Sequence, residues 1–483
     1  MMMTKTEIAG ELRALGLRAG DAVLLHSSLS SLGPVEGGAD AVVAAFLEVL
    51  GETGTLAVPA FGKLGVIVER VKAHPRVVVS VHPLAAVAAI GAGAEAFCRD
   101  HWKAELAHGP DTPYTRLAEA GGYVCLLGVD QDRNTTLHTA EELLRLPYLK
   151  TTPEQTFDTP EGSVTRAWPF FPGPHRDFIG LDRLFRESGK MTVGRIGRAV
   201  VRLIKGRDLI ALAVEALRRD PAAVLCANSA CADCVAQRAA IRQARLSAES
   251  FRLVVSAQLA GRNVPEIVEQ CRRAGVGAVE FDGLQGKPVE ILSDDTLVRA
   301  VEALRAEGID VTAIRACSVG ARAVKQVARA AACGVRRMVM PLDAALATEA
   351  VAAAREHGIE LSFYNTVQDS DTVSVMLREI AGRNLRVGFT FNAPRFAGIG
   401  EKPFLGSFRK TLRRQVDQLD VSDGLLDGTP RPLTEGQAEI KELVSILRCA
   451  GFDGPLVLTA QNRQAGDTLP SAVHRFISLL DAI

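Results

Sequence analysis

The sequence predicts an α/β protein with two domains, a mixed α/β N-terminal domain followed by a C-terminal (β/α)8 barrel. Three observations favour this fold class. The chain has 483 residues, more than one ordinary hydrophobic core accommodates. Short apolar runs, typical of buried strands, alternate with amphipathic helical stretches. The second half contains eight such runs, which is the strand number of a (β/α)8 barrel.

The composition is that of a globular protein, with 47% hydrophobic and 23% charged residues. Lys+Arg and Asp+Glu both number 56, so no net charge favours nucleic acid or an anionic membrane. The N-terminus lacks an apolar signal region, and no apolar run approaches the roughly 18 residues that span a bilayer. We therefore expect a cytoplasmic protein whose nine cysteines are reduced, with neither membrane nor nucleic acid as a partner.

The first predicted elements place polar residues between a strand and a helix. In order they are a helix at 5–16, a strand at Ala22–Leu25, a polar loop from His26 to Gly33, a helix at Ala39–Leu50, a strand at Gly54–Pro59 and a strand at Val124–Val129. The glycine pair Gly37-Gly38 precedes the second helix. Backbone N–H groups at such a helix start can face an anionic ligand such as a nucleotide phosphate.

The stretch Asn134–Glu142, NTTLHTAEE, contains the residues that we expect to be catalytic. It reads as the start of a helix that Thr135 or Thr136 caps. His138 and Glu141 are three residues apart, so their side chains project from one helix face. A histidine suits general-base work, and a carboxylate can orient it or hold an amine. The alternative interpretation is a helix N-terminus that merely happens to contain both residues.

Several ordered motifs over roughly residues 1–240 resemble the aminoglycoside 3-N-acetyltransferase family. They are LGLRAGDAVLLHSSLSSLGPVEGG, GTLAVPAFG, Ser80-Val81-His82-Pro83, Ala88-Ala89-Ile90-Gly91, His108-Gly109-Pro110-Asp111-Thr112-Pro113 and NTTLHTAEE. The resemblance implies an N-terminal domain of this acetyltransferase type, with acetyl-CoA as donor and a primary amine as acceptor. It also implies His138 as the base that takes the amine proton, with Glu141 as its partner.

The same resemblance implies where the cofactor binds. The residues carried over to the acetyl-CoA path are His26, Ser27, Ser28, Ser31 and Pro83. Serine hydroxyls or N–H groups there would stabilise the negative charge that develops on the thioester oxygen. The histidines at 26, 82 and 108 are open to two interpretations, a direct catalytic role or a packed position in a loop.

The acceptor side departs from the family pattern. The segment after Phe61 is short, Val79 stands where the family has arginine, and Ala86 stands where it has serine. The resemblance therefore implies transfer to an amine more directly than it implies an aminoglycoside. We expect a small-molecule amine acceptor, either an aminoglycoside or another amino-sugar-like compound.

Three cysteines, Cys226, Cys231 and Cys234, follow a C-x4-C-x2-C spacing in LCANSACADC. Such thiols can hold zinc, and a similar spacing occurs in iron–sulfur proteins. The helix predicted at Val235–Arg242 supplies no histidine, and Cys271 lies beyond the expected domain boundary. The alternatives are zinc with a distant fourth ligand, an iron–sulfur cluster, or free thiols in a polar turn.

The first domain is expected at 1–242, a linker at 243–250 and the barrel at 251–483. The eight apolar runs are Arg252–Gln258, Ala278–Phe281, Asp310–Ile314, Arg336–Met340, Glu360–Tyr364, Leu385–Phe391, Gln418–Val421 and Pro455–Thr459. The segments GVGAVEFDG and AGFDGPLVLTAQ resemble the sugar phosphate isomerase/epimerase, or xylose-isomerase-like, barrels. That resemblance implies a divalent metal held by acidic residues and histidine at the strand ends.

The metal ligands expected in such a barrel are replaced here. The fifth strand leads to Asn365, the sixth to Asn392 and Arg395, and the eighth to Thr459. Metal-dependent isomerisation is not expected, because hard cations need anionic oxygen ligands. The polar residues left at the barrel mouth either bind a polyol or sugar or are satisfied loop residues: Glu280, Asp282, Asn365, Asn392, Arg395, Asp420 and Asp423. Asp420 and Asp423 can also simply form a turn.

The functional hypothesis is an acetyl-CoA-dependent N-acetyltransferase with a non-catalytic barrel. The barrel would recognise a sugar-like amine or mediate homo-oligomerisation. Two alternatives belong to other classes. One is a ligand-binding scaffold without turnover, and the other is a residual isomerase or epimerase activity in the barrel.

Overall fold

The computed structural model describes residues 2–173, 175–317, 323–381 and 387–483. It divides into two compact units, residues 1–237 and 238–483. Residues 243–247, expected to begin a linker, are the end of the helix Ala232–Ser247. The sequence QARLS there contains mostly residues that tolerate a helix well. The domain boundaries themselves stay a prediction.

A seven-stranded mixed sheet forms the centre of the first unit. From one edge to the other its strands are Met191–Ile196, Ala199–Lys205, Tyr123–Leu127, Ala22–Ser27, Thr55–Pro59, Val87–Gly91 and Val78–Val79. The three central strands are mutually parallel, and the flanking ones pair antiparallel. The carboxyl ends of the central strands therefore meet at one edge, where ligands bind in α/β sheets.

Two predicted boundaries near that edge are wrong by a few residues. His26 and Ser27, expected in a loop, complete the strand Ala22–Ser27, because parallel pairing continues to Ser27 opposite Leu127. The strand predicted to reach Val129 ends at Leu127. Gly128 adopts a φ of +68°, and a Cβ there would lie 2.5 Å from the Ser31 Cβ. The chain can turn there because glycine adopts this conformation without strain.

Helices cover both faces of the sheet. Val23 and Leu25 belong to one buried apolar cluster and Leu24 to another, since successive residues of a strand point to opposite faces. The helices of this unit are Lys5–Ala14, Leu29–Leu32, Gly38–Leu50, Val66–Lys72, Ala94–Cys98, Pro113–Glu119, His138–Leu143, Asp182–Glu187, Gly206–Arg219 and the start of Ala232–Ser247. Two small antiparallel sheets have two strands each: Lys150–Thr151 pairs with Pro169–Phe170, and between them in the chain Gln155–Thr159 forms a hairpin with Gly162–Arg166.

The second unit is a closed barrel of eight parallel strands, and this confirms the predicted fold class. The strands are Arg252–Ser256, Ala278–Phe281, Asp310–Arg315, Arg337–Pro341, Glu360–Tyr364, Gly388–Asn392, Val416–Val421 and Pro455–Leu458. All eight predicted runs overlap these strands, although the first was predicted two residues too far, into the helix Ala257–Ala260. The run predicted at Leu385–Phe391 begins outside the described residues, and from 387 onward it falls on the sixth strand.

Helices alternate with the barrel strands. They are Ala257–Ala260, Val264–Ala274, Asp294–Ala306, Ala323–Ala332, Ala344–His357, Ser370–Ala381, Ala393–Gly398, a π-helix at Pro403–Leu412, Ile440–Cys449, Ala460–Gln464 and Leu469–Asp481. Local signals fix their ends. The Asn263 side chain accepts a hydrogen bond from the Glu266 N–H at the start of one helix, and Gly275 ends it at a φ of +74°. Within the described residues, none of the helices is long and apolar enough to cross a membrane.

Candidate functional site

His138 and Glu141 form a hydrogen-bonded pair at the start of a helix, as their spacing predicts. The His138 Nδ1 lies 2.6 Å from the Glu141 Oε2. The predicted threonine cap is wrong, because residues Thr135–Leu137 form a 3-10 turn and the α-helix begins only at His138. The pair still shares one face, since this depends only on helical spacing.

Both oxygens of the Glu141 carboxylate are occupied. Its Oε1 accepts hydrogen bonds from the Tyr148 hydroxyl at 2.8 Å and from the Arg176 Nε at 2.7 Å. The Glu141 side chain is fully buried, and that of Arg176 is only 3% exposed. A buried carboxylate with a cation and two further donors is held in one orientation. The other oxygen, Oε2, contacts the His138 Nδ1, so the fixed carboxylate also orients the His138 ring.

Aromatic rings fix the plane of the His138 imidazole. Phe171 stacks on it with a centroid distance of 3.6 Å and an interplanar angle of 6°, and Phe178 contacts its edge at 5.0 Å. The His138 side chain keeps 12% exposure, so the ring is not sealed from a ligand. A second buried pair lies beside it, with the His108 Nδ1 at 2.8 Å from the Glu142 Oε1.

Burial lowers the pKa of His138 below the usual histidine value, and the hydrogen bond to Glu141 offsets this only in part. Burial pushes the pKa of Glu141 upward, but the contact with His138 and the charge of Arg176 outweigh it, so this pKa is lowered. The pair at neutral pH is therefore a neutral imidazole beside an ionised carboxylate. With Nδ1–H donated to Glu141, the Nε2 lone pair is left to accept a proton.

A cavity of about 840 Å³ lies at the carboxyl edge of the central strands. Among its lining residues are Gly38 at the start of the helix Gly38–Leu50, the cationic side chains of Lys63 and Arg133, and Thr135. Thr135 is three positions before His138, so the cavity reaches the turn that leads into His138. A helix N-terminus and two cations make this volume suited to an anionic ligand.

The predicted cofactor residues divide into two groups. His26, Ser27 and Ser28 line the cavity, whereas Ser31 and Pro83, both described, do not. The Ser31 hydroxyl donates to the Gly128 carbonyl at 2.8 Å and so holds the loop after the central strand. Pro83 lies in the turn at 83–85.

Two buried polar atoms stand beside this cavity without a hydrogen-bond partner in the described part of the chain, the His26 Nε2 and the Ser27 Oγ. Burial lowers the pKa of His26 to about 3, so its ring is neutral. Neutral donors of this kind can serve a carbonyl oxygen that gains negative charge.

His82 is packed rather than exposed at a site. Its Nδ1 accepts hydrogen bonds from the backbone N–H groups of Leu84 and Ala85, both at 3.1 Å. Its ring stacks on His101 at 4.5 Å and contacts Trp168 at the same distance. For His82 these contacts favour the interpretation as a packed loop residue.

The three predicted metal ligands Cys226, Cys231 and Cys234 do come together, and His175 joins them. The four ligand atoms lie within 4.8 Å of one another. The fourth ligand was expected after the cysteines, whereas His175 lies well before them, in GPHRDF.

In the barrel, a buried arginine that the sequence reasoning missed connects two of the predicted mouth residues. Arg315 ends the third strand and pairs with Glu280 through its Nε and with Asp420 through Nη2 at 2.5 Å. Gln418 donates to the second oxygen of Glu280 at 2.9 Å. Both carboxylates are 1% exposed. Their charge is therefore met by a guanidinium from the chain itself.

The other predicted mouth residues are mostly engaged within the barrel. Asp282 accepts from the Ser256 hydroxyl at 2.5 Å, and Arg395 donates to the Asn365 carbonyl at 2.7 Å. Asn392 donates to the Asp420 Oδ2 at 3.1 Å. Asp423 accepts four backbone N–H groups from its own loop, so it organises a turn. Asp420 instead serves the ion pair with Arg315.

Comparisons with known proteins agree with the motifs of the first unit. The family model described as aminoglycoside 3-N-acetyltransferase matches residues 24–64 and 62–218. Aminoglycoside N(3)-acetyltransferase IV from Salmonella sp is 34% identical over 235 residues, which cover 45% of this chain and 88% of that protein. The aminoglycoside N(3')-acetyltransferase-like protein YokD from Bacillus subtilis (strain 168) is 31% identical, covering 41% of this chain and 87% of that protein.

Among solved structures, the aminoglycoside acetyltransferase AAC(3)-IVa apoenzyme is 32% identical, covers 50% of this chain and 98% of its own, and has a TM-score of 0.46. The AAC-IIIb binary complex with CoASH is 29% identical, covers 45% of this chain and 97% of its own, and has a TM-score of 0.43. The two sequence relatives named above are thus covered over nearly nine tenths of their own length, and the family model matches the first half of this chain. Through that half, the chain belongs to the aminoglycoside 3-N-acetyltransferase family and is an acyltransferase.

Proposed function

We propose that the first unit transfers acetyl from acetyl-CoA to a primary amine of an aminoglycoside or a related amino sugar, with His138 as general base. The observation that carries this proposal is the fixed Glu141 carboxylate. Its Oε1 is held by Tyr148 and Arg176, and its Oε2 holds the His138 Nδ1. The names of the relatives support the aminoglycoside as acceptor.

The amine, the thioester and His138 together account for every bond and proton that changes in the proposed reaction. The amine nitrogen attacks the thioester carbonyl carbon while the His138 Nε2 takes the amine proton. The carbon–sulfur bond then breaks, and the proton passes from the imidazolium to the leaving thiolate. Glu141 stabilises the imidazolium between these two steps. His26 and Ser27 are the candidates to stabilise the oxyanion, because their unpartnered polar atoms lie at the cavity.

The cavity supplies the proposed acetyl-CoA site. Its lining combines the apolar side chains of Leu64 and Ile67 with the cations Lys63 and Arg133 and the helix start at Gly38. Apolar walls suit a pantetheine arm, whereas cations and the positive end of a helix dipole suit phosphates. The reacting thioester would approach His138 along the Thr135 side.

The test is release of free thiol from acetyl-CoA in the presence of a panel of aminoglycosides and simple amino sugars. Acceptor-dependent release is the expected result, and the acceptors that support it name the substrate class. Acetyl-CoA that binds but is never consumed, with any amine of the panel, would instead favour the scaffold without turnover.

The pH dependence follows from the buried base. Because the pKa of His138 is lowered, its neutral form persists below the usual histidine value of about 6.5. We expect an acid limb of kcat/KM whose midpoint lies below that value, with activity lost as pH falls through it. Two acceptors with different amine pKa values identify the limb, because only the enzyme's own limb stays fixed. A fixed limb above pH 7 would contradict a neutral buried histidine.

Charge reversal at the cavity should weaken cofactor binding. In the double variant Lys63→Glu/Arg133→Glu we expect the KM for acetyl-CoA to rise about 10-fold or more, with a smaller effect on kcat, because two phosphate-facing cations become anions. Raising the ionic strength should reduce the difference in the KM for acetyl-CoA between this variant and the unmodified protein, because salt screens the charges. The matched control is Arg207→Glu on an exposed helix position outside the cavity, which should leave the KM unchanged.

For the barrel we propose a non-catalytic role, either recognition of a sugar-like amine or self-association. The resemblance to isomerase barrels is part of this proposal. Arg315 between Glu280 and Asp420 supports it, because a divalent ion there would have to share its ligands with a guanidinium. Added Mn²⁺ or Mg²⁺ is expected to produce no ketose–aldose exchange. Metal-dependent exchange by the full chain would restore the isomerase alternative.

A further inference from the structure

The donor set of Cys226, Cys231, Cys234 and His175 matches a four-coordinate zinc site. The His175 Nδ1 lies 3.3 Å from the Cys234 Sγ and 3.6 Å from the Cys231 Sγ. With Zn–S near 2.3 Å and Zn–N near 2.0–2.1 Å, ligands of a tetrahedral ion stand about 3.5–3.8 Å apart. The two distances from His175 are thus already close to those that zinc requires, and all four ligand atoms lie within 4.8 Å of one another.

The backbone around the cluster is also in place. Cys231 directly precedes the helix Ala232–Ser247, and Cys234 is buried in its first turn. The Cys231 N–H donates to the Asn228 carbonyl at 3.1 Å and so shapes the turn between the first two cysteines. Thiolates and an imidazole select a soft or borderline ion such as zinc over Mg²⁺ or Ca²⁺.

We propose that these four residues form a structural zinc site, and that the ion fixes the segment carrying Arg176, which positions Glu141. His175 and Arg176 are adjacent in the chain. Arg176 donates through Nη1 to the His175 carbonyl at 2.7 Å and through Nε to the Glu141 Oε1 at 2.7 Å. The claim that these residues bind zinc is independent of the proposed function. The claim that zinc affects catalysis rests on the proposed function of His138.

Two hydrogen bonds already join the two segments that zinc would connect, one on each side of the cysteines. The Gln237 Nε2 donates to the Pro172 carbonyl at 3.2 Å, and the Asp177 N–H donates to the Val224 carbonyl at 2.8 Å. Zinc would bind between these two hydrogen bonds. A zinc ion binding all four ligands would add far more free energy than these two hydrogen bonds.

A second path leads from the same segment to the base. The Arg176 guanidinium lies 5.1 Å from the centroid of Phe171, the ring that stacks on His138. It also lies 5.4 Å from the ring of Tyr148, the other donor to Glu141. Displacement of Arg176 would therefore disturb the carboxylate and the aromatic wall of the site together.

The first test is the zinc content of the full chain, purified in reductant and measured by elemental analysis. We expect about one zinc per chain, lost in His175→Ala and in Cys231→Ser. His175→Cys should keep it, because four thiolates also bind zinc. His474→Ala and Cys449→Ser are matched controls at exposed barrel positions and should keep it too. A metal-free protein, a disulfide within the trio, or zinc retained in His175→Ala would overturn the site.

The second test follows the imidazole of His138 by NMR, assigned by comparison with His138→Ala. Burial is the main cause of the lowered pKa of His138, and the Arg176 charge lowers it further. Zinc removal that releases Arg176 should therefore raise this pKa, because the charge moves away and the aromatic wall beside the ring loosens. His175→Cys should restore the original titration. An unchanged titration in zinc-free protein that is still folded by circular dichroism would overturn the link to the site. Zinc bound without acetyl transfer to any amine would instead contradict only the proposed function.

Discussion

Replacing His138 with alanine should lower kcat for acetyl transfer by about 10²–10⁴-fold, the range that a positioned general base contributes. The amine must lose a proton to become an amide nitrogen, and the His138 Nε2 is the acceptor that the Glu141 contact leaves available. The KM for acetyl-CoA should change little, since His138 is not among the residues that line the 840 Å³ cavity. Thiol release at saturating acceptor measures both quantities.

A second variant separates the base from its packing. In His138→Asn the side chain keeps a donor for Glu141 but has no nitrogen that accepts the amine proton, so the fall in kcat should match that of alanine. His74→Ala is the control, because the His74 Nδ1 accepts the Arg76 N–H, at 3.2 Å, in an exposed hydrogen bond of the same unit. Full activity in both His138 variants would remove the base from the mechanism.

Much of the fold could be predicted because its signals are local. The eight apolar runs of the second half became the eight strands of the barrel, since each strand is short, buried and bounded by helix-forming residues. The exact ends of the strands were harder to predict from the sequence. His26 and Ser27 look like loop residues in sequence, but pairing with a strand about a hundred positions later extends Ala22–Ser27 to include them.

The candidate site shows the same division between local and distant contacts. His138 and Glu141 could be paired from the sequence, because three residues of helix place them together. Tyr148 and Arg176 could not, since they follow Glu141 after irregular chain and carry no spacing that points back to it. His175 was missed for the same reason, although a search on both sides of the cysteines would have included it.

In the barrel, Arg315 is the clearest example of a residue whose contacts the sequence does not predict. It directly follows the run predicted as the third strand, and no periodicity indicates that its side chain turns inward. In the sequence, Glu280 and Asp420 stand at predicted strand ends without any sign of the group that neutralises them. A buried carboxylate pair requires a cation, and the folded chain brings Arg315 between the two.

Substituting methionine for Arg315 should destabilise the barrel by about 3–5 kcal/mol, the cost of removing one partner of a buried ion pair. Glu280 and Asp420, both almost fully buried, would be left as like charges without the guanidinium. Urea denaturation of the full chain, followed by a probe in the barrel, measures this loss. The exposed pair Arg252–Asp310 provides the control, and Arg252→Met should cost within about 1 kcal/mol.

The same variant carries a pH signature that simple loss of packing would not produce. Without Arg315 the two buried carboxylates repel each other with no cation between them, and burial disfavours the charge of each. Binding of a proton by this pair at lower pH relieves the repulsion, so the stability deficit of Arg315→Met should shrink between pH 8 and pH 5. Adding Glu280→Gln and Asp420→Asn should recover much of the loss at pH 8. A deficit that is the same at every pH, and that the added amides do not relieve, would show that Arg315 acts through packing rather than charge.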